Sequence, residues 1–363
     1  MKTKLGIIEG FYGRPWTWGE RSGYVPFMRR YGFKTYIYAP KADAYMRRKW
    51  REQMPQPLES KLAKLSAELH NAGCEFGIGF SPYEIYLSPF DTAAKQQLTD
   101  RIKAFDRIKT DILCILMDDM KGDVNGLAGK QIEILNFIAA NTKAKKMVFC
   151  PTYYSDDPVL EKLYGKMPED YFLRLNRELD PKISVFWTGN LVCSREFTPE
   201  YLHGVSLRLG RKPVIWDNYP VNDGPRMSPF LHLRAFAGRP AEMGAAIEAH
   251  IANPMNQAAL SKIVLATLAE CYERGPRYDA AAAFRRAARS ITCREMADLL
   301  ERDLELFADK GLAAITAEQK MQLLRDYGEF LGSRTNDTAA AAHEIKDWLN
   351  GRYAITREEI LAQ

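Results

Sequence analysis

Apolar residues follow two alternating patterns over the first two-thirds of the chain. Short unbroken runs bounded by polar or turn residues read as strands buried on both faces. Longer stretches in which apolar residues recur at i, i+3 and i+4 read as amphipathic helices. The runs are Leu5–Gly10, Thr35–Pro40, Phe76–Phe80, Ile112–Met117, Met147–Cys150, Ile183–Trp187 and Pro213–Asp217, and Phe230–Ala237 supplies a plausible eighth. Between them, helical patterns cover 19–31, 58–72 (Leu58, Leu62, Leu65, Leu69), 91–109, 128–141, 158–176 and 199–209. Eight strands alternating with helices predict a (β/α)8 barrel, with a doubly wound open sheet as the rival. Polar or aromatic residues follow nearly every run, and a closed barrel gathers those ends at one mouth, which favours closure. After Asn253-Pro254 the pattern turns helical to the end, so the chain divides into a barrel over 1–260 and a helical C-terminal appendage over 261–363.

The whole chain, 363 residues with 46% hydrophobic content, is long enough for one large barrel and a smaller helical unit. Charge adds little: 51 Lys plus Arg against 46 Asp plus Glu gives a net +5, which argues against nucleic acid as a partner. The basic run Arg47-Arg48-Lys49-Trp50-Arg51 reads as a solvated helix face. No apolar run approaches a membrane span. Strand-like sequence starts by Leu5, leaving no room for a leader, and the six cysteines show no C-x-x-C spacing. Read together, these features predict a cytoplasmic protein.

The candidate chemistry sits at the strand ends. The fourth run leads straight into Asp118-Asp119 and then a glycine-containing loop, Lys121–Gly126. Adjacent carboxylates repel, so one of the two is expected to hold a proton near neutrality. Gly10, Lys41, Tyr154, Trp216, Asn218, Asp223 and Asn253 fall at or after other strand ends. Acids, amides, a lysine and aromatic walls suit a sugar, whose hydroxyls need donors and acceptors and whose C–H face stacks on an indole. Each has a plainer reading: Asp-Asp as a helix cap or turn, Lys41 as surface charge, Asn218, Asn222 and Asp223 as a polar turn, and Trp187 and Trp216 as core. Tyr153 and Tyr154 compete for a single place in the mouth. Co-location at successive strand ends favours the functional reading. The five histidines form no H-x-H or H-E-x-x-H, so no metal site is expected. No G-x-S-x-G elbow or complete glycine fingerprint for a nucleotide is present, and no cofactor is expected.

With Glu9-Gly10-Phe11-Tyr12-Gly13-Arg14-Pro15-Trp16, Tyr38-Ala39-Pro40-Lys41, Asp118-Asp119, Pro151-Thr152 with Tyr154, Trp187-Thr188-Gly189, Trp216-Asp217-Asn218, Asn222-Asp223 and Asn253-Pro254 in order along the chain, the sequence resembles glycoside hydrolase family 84, the β-N-acetylglucosaminidases that include O-GlcNAcases. The resemblance implies a retaining, substrate-assisted reaction in which the sugar's 2-acetamido oxygen attacks the anomeric carbon and an oxazoline forms. It implies that Asp118 orients the acetamido N–H and that Asp119 serves as general acid and then base. Tyr154 and Asn218 would support the acetamido group, Trp216 would wall its pocket and Cys150 would floor it. Lys41, Asp223, Asn253 and the Gly10 carbonyl would hold ring hydroxyls. Ala42-Asp43 and Met46 depart from the family pattern at the rim, which bears on substrate identity. A non-catalytic GlcNAc-binding barrel and a different barrel glycosidase remain the alternatives. The aglycone (protein, glycan or cell-wall fragment) and a dimer paired through the helical tail stay open.

Overall fold

A computed structural model describes residues 3–335 and 337–363. Eight parallel strands close into a barrel in sequence order: β1 (Lys4–Glu9), β2 (Thr35–Tyr38), β3 (Glu75–Phe80), β4 (Ile112–Leu116), β5 (Lys146–Cys150), β6 (Ile183–Trp187), β7 (Val214–Asp217) and β8 (Ala249–Ala252). β8 closes the barrel by pairing with β1, Lys4 against Ala249 through Ile7 against Ala252. Glycines make room inside. A side chain at Gly79 would run into Ala39 of the strand-end next door, and one at Gly6 would meet Ile251 across the β1–β8 seam.

The outer layer contains α1 (Trp18–Tyr31), α2 (Gln56–Asn71), α3 (Thr92–Arg107), α4 (Leu127–Asn141), α5 (Val159–Tyr164), α6 (Tyr171–Glu178), α7 (Pro199–Leu209) and α8 (Ala258–Arg274). Local chemistry sets their ends. Thr17 and Glu20 form a capping box on α1, and Gly32 ends it in the left-handed conformation. Thr198 caps α7 with Pro199 in its first turn, and Gly210 closes it. On α2 the expected leucine spacing buries Leu62, Leu65 and Leu69 against the barrel.

Two expectations need correction. The eighth strand is Ala249–Ala252, not Phe230–Ala237. The latter alternates as a strand would, and Leu231 and Leu233 are buried, but no ladder forms; Leu231 N–H donates to the Phe307 carbonyl of the C-terminal region instead. The true β8, Ala-His-Ile-Ala, lacks the β-branched density that marks a strand, and His250 earns its burial by bonding Asp217 and Tyr272. The single helix expected over 158–176 is two, α5 and α6, split where Gly165 takes φ 93° and Pro168 follows.

The remaining helices are α9 (Ala280–Ile291), α10 (Arg294–Arg302), α11 (Ala317–Gly328), α12 (Thr338–Leu349) and α13 (Arg357–Ala362). The boundary expected at residue 260 falls inside α8, against which α9 and α12 pack. On α12 the buried carboxyl of Glu344 accepts the backbone N–H groups of Ala259 and Leu260, satisfying the first turn of α8. Trp348 donates to the Ser228 carbonyl and the Gln363 side chain accepts from Gly13 N–H. The C-terminal helices thus brace the loops that follow β1 and β7. Among the described residues no helix is long and apolar enough to cross a membrane.

Candidate active site

The carboxyl ends of the strands open into a cavity of about 270 Å³. That is room for one small ligand, at the low end of the range for such sites. All ten residues expected at the site line it: Gly10 after β1, Lys41 after β2, Asp118 and Asp119 after β4, Cys150 ending β5, Tyr154 beyond it, Trp216 in β7, Asn218 and Asp223 after β7, and Asn253 after β8. Of the competing tyrosines, Tyr154 faces the cavity, whereas Tyr153 lies against Gly122 and donates to the Gly165 carbonyl. Trp187 is buried core, its indole N–H bonded to the Tyr201 hydroxyl.

The turn carrying the acids is fixed from behind. Met117 N–H donates to the Cys150 carbonyl, and the Thr152 hydroxyl donates to the Met117 carbonyl at 2.8 Å. Gln131 and Tyr171 complete this buried network. Asp119 sits at φ 55°, a left-handed conformation uncommon outside glycine, which turns its side chain into the mouth beside Asp118. On the far wall, the Trp216 indole N–H and the Asn253 amide both donate to the Asn218 Oδ1, at 2.9 and 3.0 Å. The Asn218 amide donates to the Val192 carbonyl, and Gly10 N–H donates to Asn253 Oδ1. A side chain on Gly10 would collide with the Trp216 ring, so glycine is required there by close approach.

Lys41 lies between the acids, its Nζ 2.5 Å from Asp118 Oδ2 and 3.1 Å from Asp119 Oδ2. Asp119 also accepts from two phenols, Tyr164 on Oδ1 at 2.6 Å and Tyr12 on Oδ2 at 2.7 Å. Burial pushes the Asp119 carboxyl up, but Lys41, Arg47 and these hydroxyls together hold it well below the usual carboxylate range. Asp118 moves the other way: burial and the Asp119 charge raise it, and Lys41 offsets only part. The two adjacent acids are therefore pushed in opposite directions, Asp118 up and Asp119 down. Asp223 is raised to about 6 by burial, despite accepting Tyr12 N–H at 2.8 Å. Asp118 Oδ1 is buried and has no hydrogen-bond partner among the described residues.

The sequence reading missed several groups. Tyr12 stood in a strand-end aromatic loop, a signal that sufficed to find it. Tyr164 and the apolar wall of Val159, Leu160 and Leu163 lie on or beside α5, where nothing but the fold brings them to the mouth. The basic run at 47–51 is not a solvated helix face: Arg47 is buried, bonds Ser81, lies over Tyr83 and lends its charge to Asp119. Arg48, Lys49 and Arg51 are exposed.

Known proteins are similar to this chain in sequence and fold. Protein O-GlcNAcase of Rattus norvegicus is 29% identical over 280 residues, which are 74% of this chain and 30% of the relative. Protein O-GlcNAcase of Mus musculus matches to the same extent. The chain thus spans less than a third of the length of the curated relatives it matches. The solved structure of an aspartate-to-asparagine mutant of a Thermobaculum terrenum O-GlcNAc hydrolase superposes with a TM-score of 0.74 at 28% identity, covering 96% of this chain and 80% of that one. CpGH84B, at 23% identity and a TM-score of 0.74, covers 96% of this chain and 66% of its own, and shares the fold. A family model described as beta-N-acetylglucosaminidase matches residues 5–308, a span that holds the whole barrel and every residue of the cavity, and the chain belongs to that family of glycoside hydrolases.

Proposed function

We propose that the protein removes terminal β-linked N-acetylglucosamine with retention of configuration, the sugar's own 2-acetamido oxygen acting as nucleophile and an oxazoline as the intermediate that water opens. The observation that carries this reading is Asp118 Oδ1, an acceptor buried in the cavity wall with no donor among the described residues. A buried carboxylate oxygen without a donor is costly, and an arriving acetamido N–H satisfies it. The placement of the acids supports the same conclusion. Both reach a single ammonium, so they are neighbours on one wall of the cavity. Two carboxylates that act as nucleophile and acid instead flank the scissile bond, and substrate-assisted enzymes are the known exception to that geometry.

In this reading Asp118 orients and polarises the acetamido N–H, and Asp119 gives a proton to the leaving oxygen and then takes one from water. Tyr154 donates to the acetamido oxygen; Trp216, Asn218 and Cys150 shape its pocket. Lys41, Asp223, Asn253 and the Gly10 carbonyl hold ring hydroxyls. Lys41 leaves the acids for a hydroxyl when the sugar enters. Both acids then lose that cation, but Asp118 gains the acetamido N–H in exchange, a donor that favours its ionised form and leaves Asp119 to hold the proton. The apolar wall of Val159, Leu160, Leu163 and Val192 flanks the leaving-group side, and with relatives named Protein O-GlcNAcase it supports GlcNAc carried on protein hydroxyls as the substrate. A cytoplasmic setting fits the six free cysteines. The helices beyond residue 260 serve as a brace for the mouth loops.

The test is a series of aryl β-glycosides whose N-acetyl group carries zero to three fluorines. Fluorine weakens the amide oxygen as a nucleophile, so kcat/KM falls steeply along the series. Equal rates along it, or no hydrolysis of the parent glycoside, overturn the reading.

A further inference from the structure

Tyr164 is joined to the acid turn at both ends. Its hydroxyl donates to Asp119 Oδ1 at 2.6 Å, and its carbonyl accepts Gly122 N–H at 2.7 Å, from the loop that leaves Asp119. Gly165, the next residue, accepts from the Tyr153 hydroxyl, and Asp157 at the other end of the segment holds Val192 N–H and Val159 N–H. The phenol is thus set by a stitched frame and not by a free side chain. Leu163 beside it is 64% exposed, while Leu160 one turn earlier is buried, so α5 is held both by its packing and by these bonds. Asp119 holds a left-handed backbone conformation and needs outside contacts to keep it.

The two oxygens of Asp119 have different surroundings. Oδ2 faces Lys41 and Tyr12, while Oδ1 accepts the Tyr164 hydroxyl. We propose that Tyr164 is a positioning residue for the general acid: by donating to Oδ1 it directs the transferable proton to Oδ2 and steadies the carboxylate left after that proton goes to the leaving oxygen. This rests on the reading of Asp119 as the acid. No proton leaves Tyr164; burial and the neighbouring Asp119 charge push its phenol far above the ordinary range, so it stays a donor through the cycle. The titratable and charged groups around Asp119 are Lys41, Arg47, Tyr12, Asp118, Cys150, Tyr154, Asp223 and Tyr164, and among the described residues Tyr164 is the one that hydrogen-bonds Oδ1.

The experiment compares pH profiles of kcat/KM for the wild type and Tyr164→Phe, on one GlcNAc glycoside with a good leaving group and one with a poor one. Losing a donor to the ionised carboxyl makes the acid pair hold its last proton more tightly. The alkaline limb therefore moves up by about one pH unit. The poor leaving group slows about tenfold, because the Asp119 carboxylate left behind by proton transfer is less stabilised, and the good one changes about twofold or less. A purely structural tyrosine would slow both glycosides alike and leave the limb in place, and that result overturns the proposal. Replacing Tyr164 with 3,5-difluorotyrosine, a stronger donor of similar shape, should move the limb down; this keeps the test decisive where the phenylalanine variant does not fold. An unmoved limb with both variants also overturns it while the wild type still cleaves, which leaves the proposed reaction standing. A wild type inert on both glycosides overturns the reaction and this role together.

Discussion

The Lys41 ammonium lies 2.5 Å from Asp118 Oδ2 and is itself buried. Burial pulls its pKa down, yet the Asp118 and Asp119 charges hold it well above the ordinary lysine range. One fixed cation between two acids makes the site stable when empty and gives the sugar a group to recruit.

Lys41→Met removes that cation. Both carboxyls then bind protons more readily, so the acidic limb of the kcat/KM profile shifts to higher pH and activity falls by about 10²–10³-fold. A profile unchanged in shape would show that Lys41 does not govern the pair.

Asp119→Ala should slow a glycoside with a poor leaving group by about 10²–10⁴-fold and one with a good leaving group far less, since only the former needs a proton. Asp118→Asn should slow both by about 10²–10³-fold, because it removes charge from the developing oxazolinium. Steady-state rates on the two glycosides separate these roles; equal slowing in Asp119→Ala rejects the acid assignment.

Gly10→Ala should destabilise the fold by about 1–3 kcal/mol and weaken binding of N-acetylglucosamine, because the added methyl runs into the Trp216 ring. Thermal melting and calorimetric titration read the two effects. Unaltered binding would place the indole away from the ligand.

Glu344 offers a test of the C-terminal brace. Burial raises its carboxyl to about 8, although Ala259 and Leu260 N–H groups pull it down. The folded state therefore holds a proton that the unfolded chain, titrating near the ordinary glutamate value of about 4.3, gives up. Its contribution to stability is full at pH 4 and declines as pH rises to about 8. Glu344→Gln cannot titrate, so the stability of wild type relative to the variant should fall between pH 5 and about 8. Parallel denaturation midpoints across that window would rule out this linkage.

Much of the barrel was legible because a strand buried on both faces must be apolar along its whole length, as Ile112-Leu113-Cys114-Ile115-Leu116 is. The strand ends were legible for a related reason. Polar residues directly after such a run, as at Asp118 and Asn218, have only the mouth to face. β8 was not legible, since Ala249–Ala252 is stabilised by its two neighbouring strands and by the bonds of His250, not by its own composition.

Local periodicity therefore sufficed for the fold class, and strand-end chemistry for the paired acids and seven of the eight residues gathered around them; Cys150 was reached only through the family resemblance. The direction in which each acid is pushed was beyond their reach. It depends on a 2.5 Å contact from Lys41, on a buried Arg47, and on phenols from Tyr12 and Tyr164 that are 107 and 45 residues from Asp119 along the chain. Charge interactions fall off with distance through space, and sequence separation carries no information about that distance until the chain has closed.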